Sequence, residues 1–191
     1  MRIEYRDIVL RDCREEDIED ELRWMNVQTQ WMDEDTPWER AEPVDPAFLR
    51  EEMLDMIRDA AANDRRSRLE ILVGDRHIGF VCAYPFATAD LASRTGAAVT
   101  WLALGIELCE PKYWGRGYGT QALAAWTRYC LDQGATHLFL ETWSGNRRMM
   151  RCAEKLGYCL CLREPGVHRV GDRAFDALTY ALDLGGFHAV Y

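Results

Sequence analysis

Three alternate glycines in Trp114-Gly115-Arg116-Gly117-Tyr118-Gly119-Thr120, set between a strand-like run and a helix-like run, restrict the fold of this chain more than any other feature. Without Cβ atoms the backbone can turn tightly and let its N–H groups converge. A helix beginning at such a turn adds amides that precede its first hydrogen bond, together with the positive end of its dipole. Strand, turn and helix in that order make an anion site, with Arg116 supplying charge at the rim. The same residues would also suit a tight structural turn. Two nucleotide-binding alternatives fit less well. No Lys-Ser/Thr pair follows, as a P-loop needs, and the G-x-G-x-G spacing lacks the third glycine position of a dinucleotide fingerprint.

Periodicity around the loop predicts a mixed α/β chain. Ile8 to Arg11 reads as a first strand, and Glu15 to Asn26 as a helix carrying Ile18, Leu22 and Met25. Gln30 to Trp38 has acidic residues and proline but no period, which predicts a loop. A second helix runs from about Pro46 to near Asn63. Leu69 to Val73 and His77 to Tyr84 form a hairpin about Gly74-Asp75-Arg76. Pro85 to Ala98 reads as a loop, and Val99 to Leu108 as a long central strand that enters the glycine turn. Beyond it come a helix with Leu123, Trp126, Cys130 and Leu131, a strand from Leu138 to Trp143, a helix closed by Gly157, and strands over Tyr158 to Arg163 and Ala174 to Leu184. The expected sheet thus has about six to seven strands, flanked by about four helices.

With 191 residues, 48% of them hydrophobic, the chain suits a single domain over 1–191. Residues 185–191 form a tail with no legible role. No apolar run approaches the roughly 18 residues of a membrane span, and the N-terminus has no cleavable leader pattern. The expectation is a cytoplasmic protein without a membrane partner, acting as a monomer or homodimer. The net charge of −9 argues against a nucleic-acid partner, since phosphates need a basic footprint, and it would welcome a cationic acceptor. Seven cysteines are scattered without C-x-x-C pairs, which reads as buried thiols and no metal. Cys159-Leu160-Cys161 could still place two sulfurs on one face of a strand.

Residues 105–123, from Gly105-Ile106-Glu107-Leu108 through the glycine loop to Leu123, resemble the acetyl-CoA segment of the GNAT N-acetyltransferases, in particular the RimJ/RimL-like, ribosomal-protein-acetylating branch. Residues 141–158 are similar to the same family's strand, Asn-led helix and Lys-x-Gly-aromatic ending, and weaker matches reach from Ile8 to Tyr180. The resemblance implies a twisted mixed sheet whose fourth and fifth strands splay apart to admit the thioester. It also implies that acetyl-CoA contacts Ile106, Leu108, Arg116, Gly117, Tyr118, Gly119, Thr120 and Asn146. Three positions depart from the pattern. Trp114 replaces the usual Gln or Arg, Ala153 stands where a tyrosine general acid is common, and Met149 stands where the branch can carry serine.

Amide formation needs a neutral amine, whereas a lysine-like amine has a pKa of about 10.4 and an α-amino group about 7.7–8.0. Glu107 is the candidate base, because it lies on the strand leading to the loop where the family places a carboxylate, and desolvation raises the pKa of such a group. Its alternative role is an outward-facing strand glutamate. Glu110 follows as second choice. Cys152, Ser144 or water could protonate the leaving thiolate, and Asn146 could bind the pantetheine arm, cap its helix, or both. Trp24, Trp31 and Trp38, interleaved with Asp33, Glu34 and Asp35, form either a wall that binds a cationic acceptor or a loop tucked onto the core. No Cys-His pair supports a covalent intermediate, so the expected reaction is direct attack of a protein N-terminal or small-molecule amine on acetyl-CoA. The other class open to this chain is a CoA-binding sensor that has kept the fold and lost turnover.

Overall fold

In the computed structural model, which describes residues 1–39, 42–86 and 101–190, the chain opens with β1 (Arg2–Tyr5) and β2 (Ile8–Arg11). They pair antiparallel from Arg2 opposite Arg11 to Tyr5 opposite Ile8, turned at Arg6, whose φ is 52°. β1 lies outside the expected strands. It holds only two apolar residues, Ile3 and Tyr5, alternating with Arg2 and Glu4, too short a run for a period to register.

A single 3₁₀ turn (Glu15–Asp17) leads into α1 (Ile18–Asn26). The expected loop at 30–38 holds another 3₁₀ turn (Thr29–Trp31) and the one-turn helix α2 (Met32–Asp35), whose acidic residues face the positive end of its dipole. α3 (Pro46–Ala62) matches its expected bounds. Pro46 occupies its first position, and the Asp45 carboxylate accepts from the amides of Ala47 and Phe48, each at 2.9 Å.

β3 (Arg68–Val73), β4 (Arg76–Pro85) and β5 (Trp101–Leu108) follow, then α4 (Tyr118–Asp132), β6 (His137–Trp143), α5 (Arg147–Lys155), β7 (Tyr158–Val170), β8 (Arg173–Leu182) and α6 (Leu184–Val190). The hydrogen-bonded order is β1-β2-β3-β4-β5-β6-β8-β7, an open mixed sheet of eight strands with six α-helices among the described residues. β5 and β6 are parallel, and their pairing is confined to Trp101–Ala103 opposite His137–Phe139. So short a pairing agrees with the splay expected between these strands. The expected loop beyond Phe86, the strand start at Val99 and Thr100, and Tyr191 of the tail lie outside the described residues.

Backbone contacts divide the chain into two units, residues 1–81 with 106–122, and residues 82–105 with 123–191. The first holds two apolar clusters. Cys13, Ile18 and Met53 gather Leu22, Leu49 and Ile57 from α1 and α3, while Trp24, Trp31 and Cys109 gather Met25, Met32, Phe80 and Trp114. Beside them runs a buried ionic network, in which Arg11 grips Asp17 through two bonds of 2.6 and 2.8 Å and Arg68 bridges Glu21 and Glu70.

In the second unit Trp126 stacks on Tyr129 and donates its indole N–H to the Cys82 carbonyl at 2.8 Å. The Tyr158 hydroxyl pairs with Thr127 at 2.8 Å. The tail is ordered as α6, with Phe187 fully buried. β7 runs seven residues beyond its expected end at Arg163, paired to β8 through two irregularities. Residues 164–167 are exposed throughout and include Pro165 and Gly166, so no alternation marked this extension as strand. Cys159 and Cys161 lie on this exposed strand, which corrects the expectation that the cysteines are buried. Cys13, Cys109 and Cys130 do meet it.

Candidate active site

The end of β5, the glycine turn and the start of α4 all lie in the first unit. β5 presents Ile106 and Leu108 to α4, where a Cβ built on Gly119 would stand 3.4 Å from Leu108 Cδ1 and 3.8 Å from Ile106 Cδ1. The two side chains therefore act as the floor for the helix's first turn. Trp114 donates its indole N–H to the Leu108 carbonyl at 2.7 Å, an anchor that the usual Arg could offer only through a longer, flexible arm. The turn's other brace is Gln121. It accepts from the Asp7 amide at 3.0 Å and donates to the Asp7 carboxylate at 3.1 Å, tying the β1–β2 turn to α4.

Gly115 and Gly117 adopt φ of 72° and 86°, and no atom lies within 4 Å of a Cβ built on either. Both conformations favour glycine, and the surface above them is bare backbone. Tyr118, Gly119 and Thr120 belong to the first turn of α4 rather than to a loop, ahead of the hydrogen bond from the Gln121 amide to the Gly117 carbonyl at 3.1 Å. Their amides thus sit at the positive end of a 15-residue helix. Arg116 is exposed beside them. A bare turn, a helix N-terminus and a flanking cation fit a pyrophosphate.

Glu107 projects to the opposite side of β5 from Ile106 and Leu108. Its carboxylate makes no hydrogen bond or ion pair among the described residues. Burial drives its pKa well above the ordinary carboxylate range, and the nearby charge of Asp35 pushes in the same direction. Asp35 is itself raised, by burial first and then by Glu39. Glu107 keeps some solvent-accessible area and Asp35 keeps more. Glu107 is thus desolvated enough to hold its proton more tightly, yet it remains in reach of solvent.

Glu110, three residues on, has the opposite environment and is corrected here as a candidate base. It is 4% exposed. Arg23 and Arg76 donate to its Oε1 at 2.8 and 3.0 Å, and the Trp24 indole does so at 3.2 Å. These bonds outweigh its burial and hold its pKa down at about 2. A carboxylate so stabilised accepts no proton at neutral pH.

Of the two roles open to the tryptophans, packing onto the core is the one that Trp24 and Trp31 take, and the Trp31 indole donates to the Trp24 carbonyl at 3.1 Å. Asp33 and Asp35 of the acidic stretch are exposed. Asn146, in the second unit, caps α5 by accepting from the Met149 amide at 2.9 Å. Ala153 is fully buried and Met149 half-buried, so neither position offers a proton. The Ser144 hydroxyl accepts from the Asp176 amide at 3.0 Å, and Cys152 is half-buried. Among the described residues no group of three or more His, Cys, Asp or Glu side chains could hold a metal ion, and no helix is long and apolar enough to cross a membrane.

Residues 7–158 match the family model described as an acetyltransferase (GNAT) domain. No curated protein sequence matches the chain. Solved structures with the same fold include a GNAT-family acetyltransferase from Bacillus anthracis, at TM-score 0.69 and 14% identity over 95% of this chain and 98% of that one. Another is yncA from Salmonella typhimurium, a putative acetyltransferase with its cofactor acetyl-CoA, at 0.66 and 15% over 93% and 94%. A third is RimL, the ribosomal L7/L12 α-N-protein acetyltransferase in complex with coenzyme A, at 0.68 and 14% over 97% and 99%. The family match spans most of the chain and contains both the glycine turn and the strand that bears Glu107, and on that ground the chain belongs to the GNAT acetyltransferases.

Proposed function

We propose that residues 1–191 act as one cytoplasmic N-acetyltransferase domain that moves the acetyl group of acetyl-CoA to a primary amine by direct attack. The observation that carries this reading is Glu107, a half-buried carboxylate of raised pKa, unpartnered among the described residues, on the strand that enters a bare glycine turn. Glu107 accepts the proton of the incoming ammonium, the freed amine forms a bond to the thioester carbon, and the carbon–sulfur bond breaks to release CoA as a thiolate. That thiolate takes up the second proton that the nitrogen loses as the amide forms. A base whose pKa lies closer to neutrality takes that proton with less penalty than an ordinary carboxylate.

The amides at the start of α4, the Gly115–Gly117 backbone and Arg116 hold the pyrophosphate, with Ile106 and Leu108 beneath. The acetyl-CoA bound by yncA and the coenzyme A bound by RimL support this choice of co-substrate. The acidic surface and the charges of Asp35 and Glu107 favour a cationic acceptor, either a basic protein N-terminus or a small-molecule amine.

A CoA-release assay against a panel of amines and basic N-terminal peptides, run beside an acetyl-CoA titration, tests the reading. Turnover with at least one amine is expected. Tight binding without turnover across the panel would make the chain a CoA-binding module instead. In the same titration Gly117→Val should weaken acetyl-CoA by about tenfold or more, because a branched side chain would be forced into the φ of 86° and would cover the converging amides. Unchanged affinity would reduce the glycine segment to a turn.

A further inference from the structure

Gly79 lies near the start of β4 with φ of 151°, and a Cβ built on it would stand 1.9 Å from the Glu107 carbonyl oxygen. The same Cβ would lie 2.9 Å from the Glu107 carbonyl carbon and 3.0 Å from Leu108 Cα. All three atoms are backbone, so no change of rotamer relieves the clash. Any side chain at this position must move the peptide that joins Glu107 to Leu108.

One residue away, the Ile78 carbonyl accepts from the Cys109 amide at 2.9 Å, which ties the end of β5 to β4. Between these ties the Glu107 carbonyl occupies the space that a Cβ would fill. Gly74, in the turn between β3 and β4, makes a useful contrast. It too has positive φ, 58°, yet nothing lies within 4 Å of its Cβ position, so its glycine serves only the turn.

We infer that Gly79 is a positioning residue for acetyl transfer, whose missing side chain fixes the backbone of Glu107 and thereby the place of its carboxylate. The inference rests on Glu107 being the base. A general base works within roughly 2.6–3.2 Å of the proton that it takes, and a displacement near 1 Å can lower the rate by about 10²-fold. Gly79 lies apart from the glycine turn, but the peptide that it holds also carries Leu108, so the positioning role is read from a loss in kcat that exceeds any change in acetyl-CoA affinity.

The test compares Gly79→Ala, Glu107→Gln, the double variant and Gly74→Ala with the unaltered protein, using the best acceptor of the amine panel. Gly79→Ala should lower kcat by roughly 10- to 100-fold, a larger factor than any rise in the acetyl-CoA Kd, and move the acid limb of the kcat–pH profile toward the ordinary carboxylate range. In the Glu107→Gln background the same change should alter kcat by less than about twofold, because its effect runs through that carboxylate. Gly74→Ala should leave the profile where it was.

Effects that multiply in the double variant, or a Gly79→Ala loss with an unmoved pH profile, would overturn the inference while leaving Glu107 as the base. Full activity in Glu107→Gln alone would remove both. A Gly79→Ala chain with no cooperative melt would assign the glycine to folding and overturn the positioning role as well.

Discussion

Glu107 and Glu110 stand three residues apart on one stretch of backbone, and their surroundings make them chemical opposites. Glu110 meets two arginines and an indole, and its charge is neutralised at source. Glu107 has no such partner and faces the repulsion of Asp35. Burial pushes both upward; the partners of Glu110 reverse that push, whereas for Glu107 it stands and Asp35 adds to it. A carboxylate with saturated bonds holds structure together, whereas one left hungry for a proton can remove it from a substrate.

The largest effect that separates them is on turnover. Glu107→Gln preserves size and removes the base, so kcat near neutral pH should fall by roughly 10²- to 10⁴-fold with little change in acetyl-CoA affinity. Glu110→Gln should leave turnover per folded molecule nearly intact and lower stability instead. Arg23 and Arg76 keep Asp20 as a partner, so the loss is that of the charged hydrogen bonds to Glu110, on the order of 1.5 kcal/mol. For a chain of this length that is a fall in Tm of roughly 3–6 °C by calorimetry. Swapped outcomes, with Glu110→Gln dead and Glu107→Gln merely unstable, would reverse the assignment.

A smaller effect concerns stability and pH. A carboxylate whose folded pKa is raised binds more protons in the folded state than in the unfolded one, so it lowers stability as pH climbs from about 4.5 through the raised value. Glu107→Gln should therefore melt higher than the unaltered protein at neutral pH, and the gain should disappear as pH falls toward about 4.5, where both forms are neutral. For Glu110 the sign is opposite. Its contribution is present above about 4.5 and fades as pH falls toward about 2. Melting curves from pH 2 to 8 on both variants would show the two trends or fail to.

The smallest expected change comes from Asp35→Asn. Burial is the leading cause of the Glu107 shift and Asp35 the lesser one, so removing that charge should move the acid limb of the rate profile toward lower pH without abolishing it. An unmoved limb would mean that Asp35 does not act on the base.

Much of this was legible in the sequence. Seven of the eight strands, the four longest helices and the glycine turn follow from periodicity and from residues with fixed conformational roles. β1 and α2 were too short to generate a period, and α6 was hidden by Gly185-Gly186 ahead of its buried Phe187. At the site, the position of Glu107 on β5 was readable, but the contrast with Glu110 was not. Arg23, Arg76 and Trp24 reach Glu110 from 87, 34 and 86 residues away, and no local pattern encodes such contacts. Trp24 and Trp31 read equally well as a binding wall or as core, because exposure depends on packing partners that sequence spacing does not specify. Gly79 did leave a local sign, since an isolated glycine within a strand marks a bulge or a close backbone approach. What approaches it was fixed only by the pairing of β4 with β5.

The pH dependence of kcat/KM, measured from pH 5 to 9 on the unaltered protein and on Glu107→Gln with one accepted amine, bears most directly on whether Glu107 is the base. The unaltered enzyme should show an acid limb with an apparent pKa above the ordinary carboxylate range, and the Gln variant should lose that limb and recover rate as rising pH supplies free amine. An acid limb that persists unchanged in Glu107→Gln, at undiminished kcat/KM, would contradict it.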